Sequence, residues 1–115
     1  LHLPLNENTH EILGSDEIHN MKVGATLINT ARGGLVNEPA LISALRSGHL
    51  RGAGLDVFAE EPLADGHPLL NLDNVILSPH VAYNTPDAVK AIFEITVRNI
   101  CRYFDGEPIN IVAAP

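Results

Sequence analysis

The chain has 115 residues, 45% of them hydrophobic, and its seven Lys plus Arg against fourteen Asp plus Glu give a formal charge of −7 with His neutral. That length suits one domain, and an acidic balance without a Lys/Arg run excludes a nucleic-acid binder, whose affinity comes from clustered cations. There is also no run of about 18 apolar residues to span a membrane. The lone Cys101 allows no internal disulfide, and Leu1-His2-Leu3-Pro4 lacks the charged start and apolar run of a signal peptide, so a cytoplasmic protein is expected.

Leu1-His2-Leu3-Pro4-Leu5, with no initiator Met before it, reads as the end of a buried strand entering a Pro-terminated loop, and a fragment of a longer protein is expected. A short helix is predicted over Ser15 to Met21, with Ser15 as N-cap, Asp16 and Glu17 in the electropositive first turn and Gly24 beyond its end. Ala25-Thr26-Leu27-Ile28-Asn29 is a short apolar run between glycines, as in a parallel strand buried on both faces. Asn37 caps a helix to about Ser47, with Pro39 in its first turn and Gly48 at its stop. Gly52 to Phe58 is a second buried strand, small where helices would approach, and residues 59–73 are a Pro-, Gly- and Asp-rich loop. Asn74 to Ser78 is a third strand stopped by Pro79. A long helix runs from the cap Thr85 to about Phe104, its apolar face marked by Val89, Ile92, Phe93, Val97, Ile100 and Phe104 at spacings of three and four. Ile109 to Val112 is a candidate terminal strand.

Strands alternating with helices over short connections give an α/β class with a parallel sheet. Ligands of such sheets bind beyond the carboxyl ends of the strands. Those positions hold Thr30-Ala31-Arg32-Gly33-Gly34, then Asp56 with Glu60-Glu61-Pro62, then Pro79-His80-Val81-Ala82. An Arg after a strand is ordinarily a surface cation. Arg32, however, stands before a Gly-Gly pair that leaves the backbone open to close approach. His80 sits at a strand end behind a Pro, whereas His2, His10, His19, His49 and His67 lie in loops or polar helix positions and are assigned no role. Spacing does not decide between Glu60 and Glu61. There is no metal-ligand spacing, no Gly-x-Ser-x-Gly elbow and no Gly-x-Gly-x-x-Gly turn; Gly52-Ala53-Gly54 lies inside a strand and reads as packing.

Taken together, Leu1-His2-Leu3-Pro4-Leu5, Met21-Lys22-x-Gly24-Ala25-x-Leu27-Ile28-Asn29-Thr30-Ala31-Arg32-Gly33-Gly34, Gly54-Leu55-Asp56-Val57-Phe58 with Glu61-Pro62, and Ser78-Pro79-His80-Val81-Ala82 closely resemble the D-isomer-specific 2-hydroxyacid dehydrogenases from residue 1 to about residue 112. The resemblance implies part of a doubly wound, Rossmann-type sheet with flanking helices. Residues 1–83 would be the C-terminal half of the nucleotide-binding domain, and 84–115 a helix and tail returning toward a substrate domain. It implies hydride transfer between NAD or NADP and a 2-oxoacid or D-2-hydroxyacid, with Arg32, Glu61 and His80 as the catalytic set. A guanidinium matches a planar carboxylate, an imidazole gives and takes a proton near neutrality, and a carboxylate on its other nitrogen favours the charged ring. By resemblance, cofactor contacts fall on Pro4, Thr9, Thr30, Ala31, Arg32, Asp56, His80 and Ala82, with Asp56 accepting from the carboxamide; a capping or turn Asp is the competing reading.

The pyrophosphate-binding turn and the acidic residue that separates NAD from NADP belong upstream of Leu1. The 115 residues alone are therefore expected neither to bind a dinucleotide normally nor to turn over substrate. Exposed strand edges and helix faces would favour a homo-oligomer, a dimer in intact relatives. The alternative function on the same scaffold is a dinucleotide-sensing corepressor.

Overall fold

The structure is a computed structural model and describes residues 1–112. Its contacts divide the chain into two compact units, Leu1–Ala82 and a second beginning at Tyr83.

In the first unit, α1 (Ser15–Asn20) precedes β1 (Ala25–Asn29), α2 (Glu38–Arg46), β2 (Leu50–Leu55) and β3 (Val75–Leu77), with short 3-10 turns over Gly33–Leu35 and Pro68–Asn71. The strands form one parallel sheet in the order β1-β2-β3, so the expected α/β class is observed. The cap of α1 lies one residue before the predicted one: Gly14 occupies it, and its amide donates to Glu17 Oε2 at 3.0 Å, which leaves Ser15 inside the helix. Asn37 caps α2 as its sequence demands, Oδ1 accepting from Ala40 N–H at 3.0 Å. β2 starts two residues early and stops at Leu55; the Asp56 amide still donates to Asn29 O at 3.0 Å while its side chain serves the loops, and Val57 remains buried.

The core lies on one side of the sheet. Ile18 of α1 and Leu41, Ala44 and Leu45 of α2 pack with Leu27, Leu50, Ala53 and Leu55, and Leu35 and Leu69 close its edges. Each fully buried Leu contributes roughly 1.5–3 kcal/mol relative to exposure. The register places Ile28, Gly54 and Ile76 in one row across the opposite face, and there Ile28 and Ile76 stand 60% and 78% exposed. The prediction of strands buried on both faces is thus corrected: α1 and α2 share one core, and the described residues of this unit supply no helix to the other face. The need for small residues in β2 also has a different cause. A Cβ on Gly52 would lie 2.8 Å from the carbonyl oxygen of Asn74, a backbone neighbour and not a helix.

Residues 1–5 form no strand; the Leu1 nitrogen lies 2.7 Å from Ile28 O. Instead residues 11–13 run beside 34–37, with Glu11 N–H on Gly34 O at 2.8 Å and Leu13 N–H on Leu35 O at 3.0 Å.

The second unit is built on α3 (Pro86–Phe104), capped by Thr85 Oγ accepting from Ala88 N–H at 3.2 Å, with a solvent-exposed Lys90–Glu94 pair on its surface. None of its residues is buried. Ile109 to Val112 are not a strand, and the chain there is irregular. Among the described residues no helix is long and apolar enough to cross a membrane.

Candidate active site

Three loops leave the carboxyl ends of β1, β2 and β3, and each is braced by a polar side chain: Asn29 of β1 itself for the first, Glu61 for the second, and Asp56, just past β2, for the third. At the end of β1 the buried Asn29 accepts from Ala31 N–H through Oδ1 at 3.1 Å and donates from Nδ2 to Arg32 O at 2.9 Å. These bonds turn the chain so that the Arg32 side chain emerges into solvent. One guanidinium nitrogen donates to Ala31 O at 2.6 Å. Among the described residues no carboxylate stands within ion-pair distance of that guanidinium, so most of its donors are free.

Gly33 brings the second loop in. A Cβ there would lie 1.9 Å from the carbonyl carbon and oxygen of Phe58, so this glycine is what lets the backbone after β2 cross directly over the backbone after β1. From that crossing Phe58 N–H donates to Glu61 Oε1 at 3.0 Å, and Glu61 Oε2 meets His80 Nδ1 at 2.8 Å. Of the adjacent glutamates it is Glu61 that reaches the imidazole. The His80 hydrogen bond, then that of Phe58, holds the Glu61 carboxyl below its ordinary value of 4.5 against the opposing effects of burial and the Asp56 charge.

His80 has φ of +56, the left-handed region that a non-glycine residue enters only when its surroundings impose it. The imposing group is Asp56, 3% exposed. Its Oδ1 accepts from Ser78 Oγ at 2.5 Å and Val81 N–H at 2.9 Å, and its Oδ2 from Ala82 N–H at 2.8 Å. Burial pushes this carboxyl up, but the Ser78, Ala82 and Val81 hydrogen bonds and the facing His80 outweigh it, and the carboxyl sits below its ordinary value of 3.8. Asp56 therefore clamps the 78–82 turn on both sides of His80. A carboxylate has about four acceptor positions; three are taken inside the protein, and Asp56, expected as a cofactor contact, is buried and lines neither of the two grooves that Arg32 borders.

Arg32, Glu61 and His80 line a single cleft of about 450 Å³ together with Gly33, Glu38 and Phe58. A second groove, about 440 Å³, is lined by Pro4, Thr30, Ala31 and Arg32, so Arg32 borders both. Thr9 is not part of that lining. Its hydroxyl donates to Pro4 O at 2.7 Å and accepts from Asn6 N–H at 2.9 Å, which makes it the brace of the 4–9 turn. Ala82 faces neither groove's lining, its amide being held by Asp56. Among the described residues no group of three or more His, Cys, Asp or Glu is placed to hold a metal ion. Reasoning from the sequence missed the bracing role of Asn29 and the pairing of His67 with Glu38, 3.1 Å apart; a polar residue ending an apolar strand was the available signal for the first, and nothing local announced the second.

The family model described as D-isomer specific 2-hydroxyacid dehydrogenase, NAD binding domain, matches residues 1–82. The chain is 44% identical to a glycerate dehydrogenase of Methylorubrum extorquens over 99% of its own length and 37% of that protein's. It superposes with a TM-score of 0.83 and 43% identity on a D-isomer specific 2-hydroxyacid dehydrogenase of Xanthobacter autotrophicus Py2 in complex with NADPH and MES, covering 99% of this chain and 36% of that one. Against a Lactobacillus jensenii D-lactate dehydrogenase with NAD+ the TM-score is 0.85 at 35% identity, over 100% of this chain and 38% of the other. The chain thus spans somewhat more than a third of the length of these proteins. Their names are those of dehydrogenases, and none favours the corepressor alternative.

Proposed function

The chain belongs to the D-isomer specific 2-hydroxyacid dehydrogenase family, and from that premise we propose that the protein containing it interconverts a small 2-oxoacid and the corresponding D-2-hydroxyacid with a nicotinamide cofactor. The observation that carries the proposal is the convergence of Arg32, Glu61 and His80 on one cleft, with a 2.8 Å contact between the last two.

The residues fit a nicotinamide dinucleotide in one respect: the groove lined by Pro4 and Thr30-Ala31-Arg32 is open and borders the cleft that holds Glu61 and His80. Bound there, the cofactor supplies or removes the hydride. The rest falls to this chain. Arg32, unpaired and at the border of both grooves, docks the planar carboxylate of the substrate and orients the adjoining carbonyl. As reduction places negative charge on the carbonyl oxygen, His80 gives it a proton, and in the oxidative direction takes one from the hydroxyl. Glu61, holding Nδ1, leaves Nε2 as the nitrogen that faces the reacting oxygen and stabilises the ring when it is charged.

Two cofactor assignments change in emphasis. Thr9 shapes the turn that presents Pro4, and Ala82 acts as an anchor point of the Asp56 clamp; neither is assigned a direct contact. Cytoplasmic residence and a dimer remain part of the proposal, supported by the free, exposed Cys101 and the exposed apolar residues of α3; fractionation and sedimentation of the full-length protein test them. The choice between NAD and NADP is open to direct measurement.

The test is turnover of glyoxylate, hydroxypyruvate and pyruvate with NADH and with NADPH by the full-length protein. At least one pair should react, and His80→Ala should lower kcat/KM by about 10²–10⁴. If no 2-oxoacid on the panel is reduced, or if the substitution changes the rate less than a few fold, the proposal fails.

A further inference from the structure

Among the described residues of the first unit there are two close pairs between a histidine and a glutamate, each with one end on the segment 61–67: Glu61 with His80, and His67 with Glu38. The second stands outside the chemistry just described. His67 Nε2 lies 3.1 Å from Glu38 Oε1, and the two side chains are only 20% and 19% exposed. On its other side His67 Nδ1 accepts from Leu69 N–H at 3.3 Å and so caps the 3-10 turn over Pro68–Asn71. Those partners assign the tautomer: Nδ1 accepts, hence the proton is on Nε2, and it is donated to the carboxylate.

Both ends of the pair are firmly mounted. Leu69, two residues on, is 1% exposed in the core and so anchors the backbone that carries His67. Glu38 opens α2 directly after its Asn37 cap, and it lines the same cleft as Arg32, Glu61 and His80. Between Phe58, seated on Gly33, and the turn at Pro68 the chain has no regular structure. The direction of Glu61 therefore depends on how that irregular segment is tied at its two ends.

We propose that His67 and Glu38 form a positioning latch for Glu61: the pair ties the far end of the 59–67 loop to the start of α2 and thereby keeps Glu61 on His80 and across the cleft from Arg32. The inference rests on the dehydrogenase reading of that cleft. It makes neither residue a catalytic one; each acts through Glu61. Misplacement of a catalytic group by about 1 Å is enough to cost on the order of 10²-fold in rate.

The experiment separates the latch from the cap and is done in the full-length enzyme. His67→Asn keeps an acceptor for Leu69 N–H but falls short of Glu38, whereas His67→Gln keeps a donor that reaches Glu38. Glu38→Gln retains an acceptor for the imidazole N–H, and Glu38→Ala does not. With glyoxylate or hydroxypyruvate, His67→Asn and Glu38→Ala should lower kcat by roughly ten- to a hundredfold with little change in KM for the reduced cofactor. His67→Gln and Glu38→Gln should stay within a few fold of wild type. Hydrogen exchange at the Phe58 amide, which Glu61 holds at 3.0 Å, should quicken in the first pair of variants and not in the second. Wild-type kcat in His67→Asn, equal losses in His67→Asn and His67→Gln, or unchanged exchange at Phe58 would each overturn the latch. If the wild type reduces no 2-oxoacid, the dehydrogenase reading falls, and the exchange measurement still decides whether the latch holds Glu61.

Discussion

Gly33 has no room for any side chain, because a Cβ there meets the Phe58 carbonyl at 1.9 Å, and backbone cannot yield as a side chain can. Gly34 differs: its added Cβ would meet Leu5 Cδ2 at 3.0 Å, the movable end of an exposed residue. Gly33→Ala should therefore cost on the order of 1–3 kcal/mol or more and lower kcat/KM by pushing Glu61 away from Arg32, while Gly34→Ala should do little to either. Thermal unfolding and steady-state kinetics on the two variants check this, and equal effects would discredit the crossing as the reason for the glycine. At Arg32 the geometry of the fork is the issue. Arg32→Lys keeps the charge but not the paired donors, so its main expected effect is a rise of tenfold or more in KM for the 2-oxoacid, on the scale of the about 1.5–3 kcal/mol typical of a charged hydrogen bond. A KM within twofold of wild type would remove Arg32 from the docking role. The sequence already marked Arg32 and the Gly-Gly pair, since composition at a strand end is local information; that Gly33 faces Phe58 was not local and could not be read.

The loop ends of the three strands behave as one element, joined by Asp56. The sequence placed Asp56 at a carboxyl end and offered it as a cofactor acceptor or a turn residue. The folded chain shows three of its acceptor positions spent on Ser78, Val81 and Ala82, the residues around the left-handed His80. No pattern in residues 56–58 foretold this, because its partners lie more than twenty positions away. Asp56→Asn replaces an acceptor oxygen by a donor against amides that already donate. It should destabilise the fold by about 1–3 kcal/mol near neutrality and lower kcat as the His80 turn loosens. The sign of the pH effect follows from both carboxyls titrating below their ordinary values of 3.8 and 4.5 in the folded state. Such groups contribute stability above their unfolded values, and that contribution is lost as pH falls through the folded ones. Urea midpoints should thus drop as pH goes from about 5 toward 3, and less steeply in Asp56→Asn. Parallel pH curves for the two proteins would show that Asp56 is not the titrating clamp.

At the scale of the whole molecule, the row Ile28–Gly54–Ile76 and the exposed Phe93, Val97 and Phe104 of α3 leave this 115-residue chain with large apolar side chains uncovered in both units. The chain on its own is expected to self-associate at micromolar concentration and to leave glyoxylate and NADH unreacted; a monomer in sedimentation velocity, or measurable turnover, contradicts that expectation. Ile28 also shows where reading from sequence stopped. The apolar run Ala25–Asn29 marked a strand, and the alternation of such runs with capped helices marked the parallel class, because run length, glycine boundaries and helix caps such as Asn37 and Thr85 are properties of neighbouring residues. Which face of that strand is covered depends on helices contributed from elsewhere, and the run alone implied both. In the same way the residue types at the strand ends, an arginine, two glutamates and a histidine, were legible with their chemistry. Spacing left Glu60 and Glu61 open and the resemblance chose Glu61; only the tertiary structure put that carboxylate on His80, paired His67 with Glu38 and bent the backbone at His80, because each of these rests on a contact between segments that the chain brings together only once its core has closed.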